Sequence, residues 1–330
     1  MLYVTQTALE LGFLYALVAM ALFVSYRILD IADLTTDGCF VLGAAVSVTC
    51  AAAGHPVLGV FAAMLAGSVA GFVTAFLQTR LGVPSILAGI VTNIGLYTVN
   101  LMAMGWRSNL SILKQDTIFT MFRDLVAFLE TKVESAIGFV AGLFGAELVF
   151  SDSSVIGNWY KTFLVAAVTV LMGVLVLIFL RTRLGLSVRA TGDNRDMVRA
   201  SSINPTFTIT VGLCIANALT ALSGAMVGQY QKTIDINGGT GIVVIGLACL
   251  IIGETVLGRR TVTKGVIAVI VGSIIYRLIY AIVLYTKVVP VDCLKLLTAV
   301  IVGLAIAAPT IKNWFLFQRR KAFARRKGGC

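Results

Sequence analysis

Charge is what this sequence has least of. Only 12% of its 330 residues are charged and 58% are hydrophobic, with a mean hydropathy of +0.97. A soluble domain carries roughly twice that charged share, so a water-soluble globular fold is excluded. There is one histidine, His55, just ahead of Pro56. Neither a histidine-based triad nor a histidine metal cluster can be built from it. A G-x-x-x-x-G-K-[ST] phosphate loop is missing too, since Gly258 to Lys264 lacks the second glycine. The chain is therefore expected to hold no catalytic residues, no metal and no cofactor, and any ATP hydrolysis must lie on another chain. The six cysteines lack metal-ligand spacing, and those in apolar stretches read as small fillers. No basic n-region with a cleavage site opens the chain, so the first span is expected to be the targeting element.

What is abundant is apolar sequence in runs of about 16 to 25 residues, the length of a helix that crosses a bilayer. Nine such segments can be read: Leu9 to Tyr26, Cys39 to Ala53, Val57 to Leu77, Ile86 to Met104, Thr162 to Leu180, Thr206 to Tyr230, Gly241 to Leu257, Gly265 to Leu284 and Cys293 to Ala308. They lack the alternation of barrel strands, and backbone groups in lipid must be satisfied within their own segment. The expected fold class is an all-α polytopic membrane helix bundle of about 8–10 transmembrane helices, one of them short or broken. The five prolines lie at segment edges, as suits a residue without an N–H. Residues 136–150 are apolar enough for a re-entrant piece.

Positive-inside counting orients the chain. With the carboxyl end cytoplasmic, the inner set includes Arg27, Arg80, the arginines from Arg181 to Arg199 and the cluster from Arg319 to Lys327, whereas the outer set is much smaller. The net charge of +11 thus records orientation and attraction to an anionic leaflet, not nucleic-acid binding. The expected layout is one transmembrane domain over 1–311, with 107–161 as an external loop and 181–205 as a cytoplasmic loop. Residues 312–330 form a basic cytoplasmic tail on the lipid surface.

Several stretches carry more than hydrophobicity. In the 181–205 loop, Thr191, Asp193 and Asn194 can cap a short helix running through Met197, Val198 and Ala200. With Met197 and Val198 on one side and Arg195 and Arg199 nearby, it could insert into a groove on a partner; a solvated loop is the plainer alternative. Asp30, Asp33 and Asp37, with Thr35 and Thr36, break an apolar run. A break of this kind at membrane depth is buried in protein or lines a wet cavity. A helix starting at Thr36 or Asp37, ahead of Gly38, would aim its positive end at that cavity; an ordinary capped turn is the other reading. Gly89, Asn93, Tyr97 and Asn100 share one helix face, for interhelical packing or for a translocation path. Thr210, Cys214, Asn217, Ala221, Gly224 and Gly228 form a second small and polar stripe, and Gly67 and Gly71 another small pair. Glu254, and Arg277 midway along its span, are intramembrane charges that require partners. Outside, Phe122 to Val140 repeats apolar residues at helical spacing, as an interfacial helix or a docking platform for an external protein.

Ala190-Thr-Gly192-Asp193-Asn194-Arg195 followed by Met197-Val-Arg199-Ala200-Ser-Ser-Ile203-Asn204 resembles the A-x-G-x-N…A…G-I-N coupling loop of permease subunits in binding-protein-dependent ABC importers of the branched-chain amino-acid and ribose type. Ser202 stands where that family usually has glycine. Asp33-Leu-Thr-Thr-Asp-Gly-Cys-Phe-Val-Leu-Gly43 is similar to the family's D-L-S-x-G-S…L-G stretch, and Val83-Pro-Ser-Ile-Leu to its V-P-P/S-[FI]-[IL]. The resemblance implies a multi-pass permease in the cell membrane, moving a small polar solute, with amino acids first and the aromatic amino-acid subgroup among them. It also implies a second permease protomer, cytoplasmic ATPases carrying ATP and Mg, and an extracytoplasmic solute-binding protein. Asp37, Gly38, Asn93, Tyr97, Asn100, Asn217, Glu254 and Arg277 are the candidates for the translocation path. Sugar or nucleoside permeases and ion-coupled secondary transporters stand as alternatives; an intramembrane enzyme lacks a nucleophile and base. Because an unpaired guanidinium at depth is costly, Arg277→Met is expected to impair assembly or transport. Detergent-extracted yield and solute uptake check this.

Overall fold

The computed structural model describes residues 2–128, 153–258 and 261–286, with 298–300, 302–303 and 307. Helix α1 (Leu2–Leu22) runs on into a π-helical segment, Phe23–Ile28. There follow α2 (Thr36–Ala52), α3 (Pro56–Thr79), α4 (Ser85–Ala103), β1 (Asn109–Ser111) and α5, residues 118–128. After α6 (Ser153–Arg181) come α7 (Arg183–Asp193), α8 (Arg195–Ala200), α9 (Pro205–Gln231), β2 (Thr233–Asp235), α10 (Ile242–Leu257) and α11 (Val262–Tyr285). Six of the described helices are long and apolar enough to cross a membrane, while α2 and α10 are apolar but shorter. The helical-bundle expectation holds. The last apolar segment, Cys293 to Ala308, and the tail lie wholly or largely outside the described residues, as does 136–150 and the later part of the external amphipathic stretch.

The helix starts follow local chemistry. Pro56 and Pro205 occupy the first turns of α3 and α9, and the Asn204 side chain accepts from the Thr206 N–H to cap α9. An antiparallel ribbon without a sequence signal pairs Asn109 with Asp235, Leu110 with Ile234 and Ser111 with Thr233. Three-residue strands are too short to show a period-2 pattern.

Helices α1 and α9 are buried along most of their length, and the others pack around them. Between apolar helices in lipid, close van der Waals packing must supply what the hydrophobic effect cannot. The small-residue stripes do this. A Cβ on Gly43 would strike the Ala221 backbone, one on Gly224 the Phe40 carbonyl, and one on Gly67 or Gly71 the α9 backbone near Asn217 and Leu213. Glycine here brings α2, α3 and α9 backbone against backbone.

Two ends can be told apart. At the ribbon end, the buried Glu10 of α1 accepts from Thr162 Oγ1 of α6 (2.8 Å) and from the Tyr230 hydroxyl of α9 (2.6 Å). The buried Gln229 donates to Ser47 Oγ (2.8 Å) and the Pro56 carbonyl (2.9 Å) and accepts from the Ile118 N–H (2.8 Å). At the other, basic end, Arg27, Arg189 and the α7–α8 module come together. Gly43→Leu is expected to cost about 1–3 kcal/mol through overpacking. Gly95→Ala, where a Cβ would meet nothing within 4 Å, should be neutral or stabilising by up to about 1 kcal/mol. Thermal unfolding of the detergent-solubilised variants separates the two.

Candidate functional site

The break between α1 and α2 is held by its own polar residues. Asp33 is buried; its carboxylate accepts from the Thr35 N–H (2.9 Å) and from Asn217 Nδ2 (2.7 Å), near the middle of α9. The Thr35 and Thr74 hydroxyls share a hydrogen bond of 2.8 Å. Helix α2 therefore starts part-way along the bundle and runs toward the ribbon end. Helix α10 starts beside it and runs the other way, reaching the basic end at Glu254. At 1.5 Å per residue, each is about 25 Å long, less than the roughly 30 Å hydrocarbon core. Both are short because they diverge from a meeting point inside the bundle.

Two helix N-termini that meet bring two partial positive charges of roughly half a unit each together. Asp37, in the first turn of α2, sits between them. Its carboxylate accepts from the N–H groups of Gly241 (3.0 Å) and Val243 (2.9 Å), the first turn of α10. Asp37 thus lies on the wall of a cleft, with its oxygens already engaged as a cap across two helices.

Beside this junction lies a cleft of about 420 Å³, walled by Asp37 and Gly38 of α2, by Asn93, Tyr97 and Asn100 of α4, and by the loop between β2 and α10. Asn100 is buried; its Nδ2 donates to the Gly38 carbonyl (3.1 Å), and its Oδ1 has no hydrogen-bond partner. A Cβ on Gly38 would collide with Asn93 Oδ1, so the glycine is what lets α4's polar face reach the start of α2. Tyr97 is half exposed, its ring on the cleft wall. This constellation can offer amide and backbone hydrogen bonds and one aromatic face to a small polar solute.

The remaining path candidates lie elsewhere. Asn217 is fully buried against Asp33 and does not line the cleft. Glu254 is at the basic end, 3.0 Å from Arg27 Nε. Among the described residues no carboxylate pairs with Arg277: its guanidinium lies 3.7 Å from the Tyr15 ring centre and 5.6 Å from that of Tyr280, and Nε has no hydrogen-bond partner there. An aromatic face is worth about 2 kcal/mol or more to a desolvated cation.

The 181–205 stretch is more ordered than a loop. Thr191 lies inside α7, where its hydroxyl shares a hydrogen bond with that of Thr208 on α9 (2.8 Å). Asn194 caps α8, accepting from the N–H groups of Asp196 and Met197, both at 3.0 Å. Met197 and Val198 do not share a side: Val198 is buried and Met197 is exposed, next to exposed Arg195 and Arg199. Ser202 takes a positive φ of 59°, the conformation that glycine adopts without strain. Ala190, Gly192, Asp193, Ala200, Ile203 and Asn204 complete the module. Glu10 escapes the sequence reading, although a lone acid inside an apolar span is the signal for it. Among the described residues no group of three or more His, Cys, Asp or Glu side chains is arranged to hold a metal.

Residues 4–310 match the family described as "Branched-chain amino acid transport system / permease component". The chain is 30% identical over 288 residues to the tyrosine transport system permease protein of Clostridioides difficile (strain R20291), which covers 87% of this chain and 85% of that relative. An uncharacterized protein of Rickettsia prowazekii (strain Madrid E) is also 30% identical, over 306 residues, 92% of this chain and 96% of the relative. No solved structure matches.

Replacing Asp37 by alanine removes two acceptors from the first turn of α10. A lost cap of this type costs about 1–2 kcal/mol. Asp37→Ala should accelerate amide hydrogen exchange at 241–243 more than Asp37→Asn, which keeps one acceptor oxygen. Exchange measured by mass spectrometry on the purified chain checks the order.

Proposed function

We propose that this chain, which belongs to the family of branched-chain amino acid transport system permease components, is the membrane subunit of an ABC importer that carries an amino acid inward. Tyrosine or another aromatic amino acid is the first solute to test, a choice supported by the name of the Clostridioides difficile relative. The observation that carries the reading is the cleft, where amide side chains and one tyrosine ring converge beside two helix N-termini. A zwitterion's charged groups suit the donors and acceptor of the Asn93 amide and of the backbone between β2 and α10, and an aromatic side chain suits the Tyr97 face.

ATP and Mg would act on a partner ATPase. The α7–α8 module is its dock, with Met197, Arg195 and Arg199 on the exposed side of α8. The basic end is cytoplasmic, in keeping with the positive-inside distribution. The ribbon and α5 then face an extracytoplasmic solute-binding protein, and a second permease protomer completes the assembly in the cell membrane. ATP binding closes the ATPases and switches access to the cleft.

An ion-coupled mechanism needs intramembrane carboxylates free to bind a cation. The buried ones among the described residues are engaged, Glu10 by Thr162 and Tyr230, Asp33 by Thr35 and Asn217, and Glu254 by Arg27, and the half-buried Asp37 is engaged by α10. This favours the ATP-driven reading. Deleting residues 195–204 should leave membrane insertion intact, abolish co-purification with the ATPase and stop uptake of labelled tyrosine into proteoliposomes. Retained ATPase binding by the deletion variant contradicts the proposed dock.

A further inference from the structure

The cleft and the coupling module lie at different levels of the bundle, and one helix touches the machinery of both. At its start, α10 is fastened to Asp37 at the cleft. In its last turn, Glu254, only 5% exposed at its side chain, pairs with Arg27 Nε at 3.0 Å. Arg27 belongs to the π-helical segment that ends α1, where the Leu29 N–H reaches back to the Val24 carbonyl (3.1 Å). Such wide turns inside helices recur at functional sites.

The α7–α8 module rests on that same segment. Gly192, near the C-terminal end of α7, lies so close to the Ile28 carbonyl that a Cβ could not fit between them. A cavity of about 340 Å³ is walled by Arg27, Ile28, Arg189, Asp193 and Glu254, so residues of α7, the π segment and α10 share one polar space. A displacement of α7 must press on Ile28 and carry its neighbour Arg27 with it. Helix α10 transmits rather than absorbs such a push, because it is clamped to α11: a Cβ on Gly253 would strike the Ala268 carbonyl, and one on Gly272 the Cys249 carbonyl. Packed helices of this kind shift as units.

We propose that Arg27 and Glu254 are positioning residues that form a strut, passing motion of the α7–α8 module along α10 to the Asp37 junction at the cleft. Neither residue lines the cleft, and both meet α7 across the shared cavity, so the pair reaches the cleft through α10. This rests on the permease reading above, and it identifies which contact carries the coupling within that reading.

Replacing Arg27 alone would take this ion pair from Glu254, whose side chain is only 5% exposed, and would destabilise the chain whatever its role. The informative variant is therefore the apolar double replacement Arg27→Met with Glu254→Leu, which removes both charges of the pair together. The measurement is made on the complete transporter, with its ATPase and solute-binding protein, in proteoliposomes. Solute transported per ATP hydrolysed should fall roughly tenfold in the double variant, the size of a typical coupling energy, while the ATPase still co-purifies. Arg27→Lys, which keeps the charge, should retain coupling. A double variant with the wild-type ratio overturns the strut. A second readout stands even if that variant assembles poorly. In the wild-type transporter, adding a non-hydrolysable ATP analogue should change hydrogen exchange at 241–243, and an unchanged exchange there overturns the strut. Failure of the permease reading looks different: the wild-type chain would then take up solute without any ATPase, or bind none.

Discussion

The architecture depends on a carboxylate placed between two helix beginnings. Wherever two N-termini meet inside an apolar bundle, their exposed N–H groups and aligned dipoles repel each other and go unsatisfied. Asp37 resolves both problems, since it lies in the first turn of α2 and accepts from the first turn of α10. The consequences spread outward. Because the junction is internal, α2 and α10 are each too short to cross alone, the chain before α2 must be irregular, and a polar wall is exposed beside it. Irregular backbone at such depth survives only where protein or a cavity covers it. Here Asp33, Thr35 and Asn217 supply the cover on one side and the cleft lies on the other.

Close packing holds that junction in place. Glycines at 43, 67, 71 and 224 remove the side chains that would keep α2 and α3 away from α9, and Gly38 does the same between α2 and α4. The amide of Asn100 then reaches the Gly38 carbonyl. At the ribbon end, Glu10 and Gln229 each tie several segments together. At the basic end the contacts are more open, with Arg27 partly exposed beside a polar cavity.

Much of this is legible in the amino-acid sequence, for physical reasons. Spans announce themselves by length and hydropathy, and the face carrying Asn93, Tyr97 and Asn100 follows from helical period alone. The break at residues 30–37 is visible as polar residues in an apolar run, and Asn194 as a helix cap by its position. What stays hidden is pairing between distant segments. Asp37 meets backbone groups 204 residues away, and a backbone N–H carries no residue-specific signal. Glu10 finds Thr162 across 152 residues. Depth alone suggests a carboxylate or water for Arg277, and the guanidinium meets an aromatic ring because α1 presents Tyr15 there. Met197 and Val198 read as one surface in the sequence, although neighbours in a helix point about 100° apart.

The central claim is that solute occupies the cleft beside the Asp37 junction. The most direct measurement is protection of a single introduced thiol, Tyr97→Cys, in a background where the native cysteines are replaced by serine or alanine. In the assembled transporter, a small thiol reagent should label this position, and tyrosine should slow the labelling in a saturable way. Labelling at the same rate with and without tyrosine, while uptake of tyrosine persists, would contradict the account.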